Sequence, residues 1–504
     1  DVMASEKLPV RLRLRPWLIM SAGLFLLAAV ALLVSQVIAY RAAADVYPAG
    51  MTIAGIPVGG LSQEQAVARL VSVYDLPVEG RYNGGAFQLI PSRVGWVLDL
   101  NEMIRQADDE TAQGGFTRGL WNYLWRRQVN ATDIPLVTIV DEAQLRRYLE
   151  LEIAPRYDLP GTPAVPVPGD VIFTGGTPGS GLDVDAALPL LLSAMSSLDD
   201  RVVELPVRDI QPPDPPLEHL EIMLQQILLV DGFDGIAEVY FSSLEGEQQV
   251  HFAQDRGQII PPDVPFTAAS TIKIPIMTSL FRRIDLPLAA DIEQSLRLMI
   301  DQSENTPADT LMANYIGGNL APMSITEDMR ALGLENTFLA GFFYIGAPLL
   351  QRYETPANTR TDVSVSLDVY NQTTAADMAA LLAQVYHCAE NDGELAAAFP
   401  GEVTPQECET MLAFLKDNKL PALITAGLPE GTPIAQKHGW VIEEDGLMHT
   451  IVNSGVVYSP AGDYVLSIFF YHPDQLFYDP ANLLMARLSQ AVYNYVQLAG
   501  EALD

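Results

Sequence analysis

The chain has 504 residues, 49% of them apolar, and a net charge of −34 from 63 acids against 29 bases. That length exceeds one ordinary core and implies two or three domains, and the apolar share excludes a disordered or fibrous chain. A surface this acidic repels phosphate backbones, which argues against nucleic acid as a partner.

Lys7, Arg11, Arg13 and Arg15 precede an uncharged apolar run from Trp17 to Tyr40. The run is long enough to cross a bilayer as a helix. Positive-inside bias puts residues 1–16 in the cytoplasm, makes 17–40 a single-pass signal anchor, and places the rest outside the cell. Beyond residue 41, 24 bases stand against 61 acids, a charge that suits high solubility or an acidic habitat. Ala42-Ala43-Ala44 keeps a cleavable signal peptide open as the rival. Signal h-regions usually run only about 7–15 residues, so an uncleaved anchor is preferred. Met3 is a candidate start residue.

The segment from Tyr47 to Gly60 reads as a short strand punctuated by turns. Ser62 opens a helix, with Gln65 as its capping-box partner and Ala66, Leu70 and Val71 as its apolar face. A strand-turn-strand is expected from Gly85-Ala86-Phe87 to Trp96-Val97-Leu98, then a helix near Asn101. A second unit starts at Ile134, has helices from Asp141 and Asp185, and ends with Val202 to Val207. The boundaries are 46–133 and 134–210. Gln211-Pro212-Pro213-Asp214-Pro215-Pro216 is a semi-rigid linker, because proline fixes φ and donates no hydrogen bond.

From Leu217 a helix is expected, then a hairpin of Gly235–Ser243 and Gln248–Ala253. A helix at Ser270 and a helical middle to about Ala426 follow. Strands over Lys437–Ile442, Met448–Tyr458 and Tyr464–Phe470 precede a last helix from Pro480 to Leu498. This order describes an α/β (α+β) domain over 217–504, an antiparallel sheet flanked by helices with a helical subdomain. Cys388 and Cys408, both on the exported side, suggest one disulfide. Two buried free thiols are the alternative.

Three short motifs carry the chemistry. In Ser270-Thr271-Ile272-Lys273, the serine stands where a loop becomes an apolar helix. There the free N–H groups favour negative charge, so Ser270 can attack a carbonyl while its own N–H holds the oxyanion. Lys273, on the same helical face, is the base the hydroxyl needs if burial or a second cation lowers its pKa. Lys437 is a candidate for that cation. In Ser303-Glu304-Asn305, Ser303 can relay a proton to a leaving nitrogen and Asn305 can bind an amide carbonyl. In Lys437-His438-Gly439, on an expected edge strand, Lys437 attracts a substrate carboxylate and Gly439 permits close backbone approach. The Trp440 N–H is then a second oxyanion donor. Taken singly, each motif also reads as an ordinary helix cap or solvated lysine. No zinc, nucleotide or other cofactor motif occurs, and no cofactor is expected.

Together, over about 217–504, the three motifs resemble the serine β-lactamase and penicillin-binding family, nearest to class A β-lactamase-like domains. The resemblance implies a covalent acyl-enzyme at Ser270, formed from a β-lactam or a peptidoglycan stem peptide. Hydrolysis of β-lactam-like amides is the expected activity. A D,D-carboxypeptidase-like penicillin-binding protein and a silent wall-binding subunit are the rivals. Glu304 replaces the family's aspartate and is expected to shift Ser303 and Asn305. His438 replaces its threonine; an imidazole substitutes there in part, with a pH dependence near roughly 6–7. Glu354, with Asn358 four residues on, has the spacing of the family's deacylating glutamate. Residues 46–210 resemble the peptidoglycan-binding-like domains that precede some wall transpeptidases and VanW-type proteins, through the Gly/Val-rich opening, Leu61-Ser62-x-x-Gln65-Ala66 and Gly179-Ser180-Gly181-Leu182-Asp183-Val184-Asp185-Ala186. That likeness implies contact with the cell wall; a rigid stalk is the alternative.

Overall fold

The apolar run near the N-terminus forms helix α1 (Pro16–Ala43) in the computed structural model. The described residues are 16–43, 45–112, 115–125, 132–391 and 393–500. The basic cluster from Lys7 to Arg15 and the candidate start Met3 lie outside them. α1 is long and apolar enough to cross a membrane or to be a signal sequence. The chain divides into two compact units, 1–160 with 179–210, and 161–178 with 211–504.

In the first unit Ser62 caps the helix Gln63–Tyr74. Its side chain accepts from the Gln65 N–H, and the Gln65 side chain accepts from the Ser62 N–H. The expected pairing of Gly85–Phe87 with Trp96–Leu98 does not form. Gly85–Leu89 pairs with Val78–Tyr82, and Trp96–Leu98 pairs with Thr138–Val140. The Asn83-Gly84 turn, with both residues at positive φ, closes the shorter hairpin first. Strands also join residues 46–133 to 134–210. Thr52–Ile53 runs parallel to Asp133–Ile134, and Val78–Tyr82 runs parallel to Val202–Glu204. One apolar core, including Ile53, Leu70, Trp96, Leu149 and Leu191, serves both stretches. A further helix, α2 (Gly115–Leu124), belongs to this unit.

The second unit is built on a six-stranded antiparallel sheet. Its strands are β1 (Ile236–Ser243), β2 (Gln249–Asp255), β3 (Gln258–Ile260), β4 (Ile434–Ile442), β5 (Met448–Val457) and β6 (Tyr464–Tyr471), in the spatial order β3-β2-β1-β6-β5-β4. β5 and β6 are buried along their whole length, which requires cover on both faces. Helices α3 (Leu217–Val230) and α8 (Tyr478–Gly500) cover one face with Leu220, Leu224, Leu484 and Leu488. The other face meets α4 (Lys273–Phe281), α6 (Ala375–Ala389) and α7 (Pro405–Asp417), through Ile276, Met277, Leu382 and Met411. Between α4 and α6 lies the short helix α5 (Asn305–Leu311). Cys388 and Cys408 form a disulfide that joins α6 to α7. The chain is thus mixed α/β, as expected. Residues 161–178 pack on α8, with Phe173 against Tyr495 and the Val171 carbonyl accepting from Asn494 Nδ2.

Candidate active site

Ser270 stands in a tight turn, Ala269–Ile272, that feeds directly into α4. Ala269 takes a positive φ of 51° to enter that turn. The apolar face of α4, with Ile274, Met277, Leu280 and Phe281 fully buried, fixes the helix in the core. The register of that burial carries Lys273 inward one turn after Ser270. Lys273 Nζ donates to Ser270 Oγ (2.9 Å), the Ser303 carbonyl (2.7 Å) and Asn305 Oδ1 (2.9 Å). The lysine is fully buried, and burial lowers its pKa to about 8, while the nearby Asp309 carboxylate opposes the shift.

Ser303 lies just before α5 with φ 59°, in the left-handed region that costs a non-glycine residue about 1 kcal/mol or more. That backbone turns its carbonyl to Lys273 while its hydroxyl faces Lys437, whose Nζ donates to Ser303 Oγ at 3.0 Å. Ser270, Lys273, Ser303 and Lys437 therefore form one continuous chain of polar contacts. Glu304 is exposed between Ser303 and Asn305, and its greater length does not keep either neighbour from Lys273.

Lys437, His438, Gly439 and Trp440 all lie on β4, which pairs with β5 at the edge of the sheet among the described residues. The free edge runs beside the Ser270 turn. A Cβ on Gly439 would stand 2.5 Å from the Ser270 backbone nitrogen and 2.8 Å from Ala269 Cβ, so only glycine admits this approach. Trp440, next along that edge, stacks on His438 with ring centroids 5.2 Å apart. Burial, with Lys273 as the nearby cation, lowers the Lys437 pKa to about 7. His438 is likewise lowered, to about 3, first by burial and then by the two lysines. A pH dependence of roughly 6–7 from this imidazole is therefore corrected: it is neutral across that range. Its buried Nδ1 has no hydrogen-bond partner among the described residues.

Glu354 is exposed on the loop before α6. Its neighbour Asn358 is used structurally, accepting from the Thr355 N–H and donating to Gln372 Oε1 and the Tyr353 carbonyl. No described hydrogen bond or ion pair ties Glu354 to Ser270 or Lys273. The groups beside Lys273 are two that sequence reasoning missed. The Phe343 ring centroid lies 5.5 Å from Lys273 Nζ. Asp309 accepts from the Phe343 N–H at 2.8 Å and also bonds the Tyr344 N–H, pinning this aromatic loop over the lysine. Asp309 follows Asn305 by four residues on α5, a spacing that puts both on one helical face and was available in the sequence. Phe343 had no such signal.

Among the described residues one cluster has metal-ligand spacing, Glu238, His251 and Asp263. Glu238 is fully buried; its carboxyl shares a hydrogen bond with His251 Nε2 (2.7 Å) and accepts from Asp263 N (3.0 Å) and Val264 N (2.9 Å). With those lone pairs engaged, the cluster locks β1 and β2 to the loop before the Ser270 turn and does not suit an ion.

Residues 285–496 match the Beta-lactamase enzyme family. The matched stretch holds Ser303, Asn305 and Lys437 and begins beyond Lys273. None of the curated proteins compared with the chain matches it. Among solved structures, PBP-A is similar at 21% identity, covering 57% of this chain and 98% of its own, with a TM-score of 0.39. A β-lactamase from Sphaerobacter thermophilus is similar at 19% identity, covering 54% of this chain and 95% of its own, with a TM-score of 0.38. An ancestral class A β-lactamase is similar at 19% identity, covering 53% and 98%, with a TM-score of 0.38.

Proposed function

We propose that the β-lactamase-like part of this chain is a serine acyl-transfer enzyme, and that its acyl-enzyme is long-lived. Neutral Lys273 takes the proton of Ser270 Oγ as the oxygen attacks a β-lactam or D-alanyl amide carbonyl. The Ser270 and Trp440 N–H groups hold the oxyanion. Ser303, hydrogen-bonded to Lys437, returns a proton to the leaving nitrogen. Lys437 and the neutral His438 imidazole face the substrate carboxylate, and Asn305, whose Oδ1 accepts from Lys273, offers its Nδ2 to a substrate carbonyl.

The observation that carries the slow second step is the Phe343 ring over Lys273. Hydrolysis of the ester needs a water and a base beside it. Here an aromatic ring occupies the position next to Lys273, and the nearby Asp309 is engaged in holding that ring's backbone. This favours the penicillin-binding reading over rapid β-lactam hydrolysis. α1 anchors the enzyme, and everything beyond it faces the cell exterior, where stem peptides are found. Residues 46–210 serve as a spacer or wall-contacting segment.

Labelling with a fluorescent penicillin, followed over time, tests this. The wild-type chain should take up a label that persists for many minutes, and Ser270→Ala should take up none. Phe343→Glu should shorten the lifetime of the label by about tenfold or more. Rapid loss of label from the wild type would restore the hydrolase reading. An absence of label on the wild type would leave another acyl substrate or a silent subunit.

A further inference from the structure

We infer that α2 is a membrane-surface helix, and that its Trp121, Leu124 and Trp125 face seats in the lipid headgroup region of the bilayer that α1 crosses. The inference rests on the reading of α1 as a membrane-spanning helix. α2 carries two aromatic faces. Phe116 and Tyr123 lie on one, with ring centroids 5.7 and 5.5 Å from that of Tyr40, near the last turn of α1. Gly119 lies between them on this face, and a Cβ there would stand 2.1 Å from the Tyr40 hydroxyl. The glycine therefore lets α2 close onto the end of α1. Trp121, Leu124 and the adjoining Trp125, at helical spacings of three and four, point elsewhere. They are 54%, 39% and 65% exposed, and the two indoles lie 5.6 Å apart.

An exposed pair of tryptophans is costly in water and favourable at a bilayer surface, where the ring is apolar and the indole N–H stays wet. The place is fixed by Tyr40, beside the end of the uncharged run. Charge agrees. In a chain of net charge −34, the sequence from Thr111 to Thr132 contains Arg118, Arg126 and Arg127 and no acid. A cationic aromatic segment inside an acidic protein matches anionic headgroups. A protein partner would not account for the contact with the end of α1.

The test uses the full chain with Trp17→Phe, reconstituted into vesicles of phosphatidylcholine and phosphatidylglycerol. Lipids brominated near the glycerol end or near the chain end serve as quenchers of tryptophan emission. Four tryptophans remain, and Trp96 is buried in the first unit. With two of the four at the surface, the shallow quencher should remove up to about half of the emission, and the deep quencher less. Adding Trp121→Phe and Trp125→Phe should abolish most of that quenching. Unquenched emission from protein that still floats with the vesicles would overturn the docking of α2 alone. Protein that no longer floats would overturn the anchor reading, and the docking with it.

Discussion

Two buried lysines within one polar chain set the chemistry of the site. Both are pushed down, Lys437 to about 7 and Lys273 to about 8, so near neutral pH they part with protons that exposed lysines keep. Lys273 works as a base only when neutral. The rate of penicillin labelling should therefore rise with pH through about 8, and a profile flat from pH 6 to 9 would remove Lys273 from that role. Asp309 opposes the shift at Lys273 by its negative charge. Asp309→Asn removes the anion and leaves an acceptor for the Phe343 N–H. Its labelling profile should keep its shape and move to lower pH, whereas a merely structural role for Asp309 would lower the rate at every pH. Most of this candidate site was legible in the sequence, because Ser270 with Lys273, Ser303 with Asn305, and Lys437 with Gly439 each lie within three residues of one another in the chain. Phe343 was not legible, since it reaches Lys273 across 70 residues of chain. The pKa of His438 was not legible either, because depth of burial is a tertiary property.

Among the elements, α6 and α7 show what local signals decide. Thr374 caps α6 by accepting from the Asp377 N–H. Thr404 and Glu407 form a full capping box on α7. Their apolar faces then bury Leu381, Leu382, Met411 and Leu415 under the sheet. The disulfide between them closes a loop with a sequence separation of 20 residues. Cys388→Ala with Cys408→Ala should lower unfolding stability by about 2–4 kcal/mol, read from urea midpoints, and should leave penicillin labelling intact. An unchanged midpoint would mean that the packing of α6 on α7 already restricts the unfolded chain. Both caps depend on residues within one turn, Thr374 with Asp377 and Thr404 with Glu407. Strand partners were less accessible. Trp96-Val97-Leu98 reads as a strand from its aromatic and β-branched residues, but its partner at Thr138–Val140 lies a helix and more away.

For the whole molecule, a short early segment crosses a boundary that looked simple in sequence. Residues 161–178 belong with the second unit, and Val171 and Phe173 pack against its α3–α8 face. The double variant Val171→Ala, Phe173→Ala should therefore be less stable than the wild-type chain, by about 2–3 kcal/mol for the lost burial of two apolar side chains. Equal melting temperatures for the two would show that these side chains contribute nothing to the fold.

Local sequence sufficed for the apolar helix α1, the capped helix after Ser62, five of the six strands of the large sheet (all but β3) and the residue types at the candidate site. These depend on neighbours within one or two turns or on strict alternation. The tertiary structure alone decided which strands pair, that an early segment wraps the later unit, that Phe343 covers Lys273 and that His438 stays neutral. Those features depend on contacts between distant parts of the chain, and on a burial that no local pattern encodes.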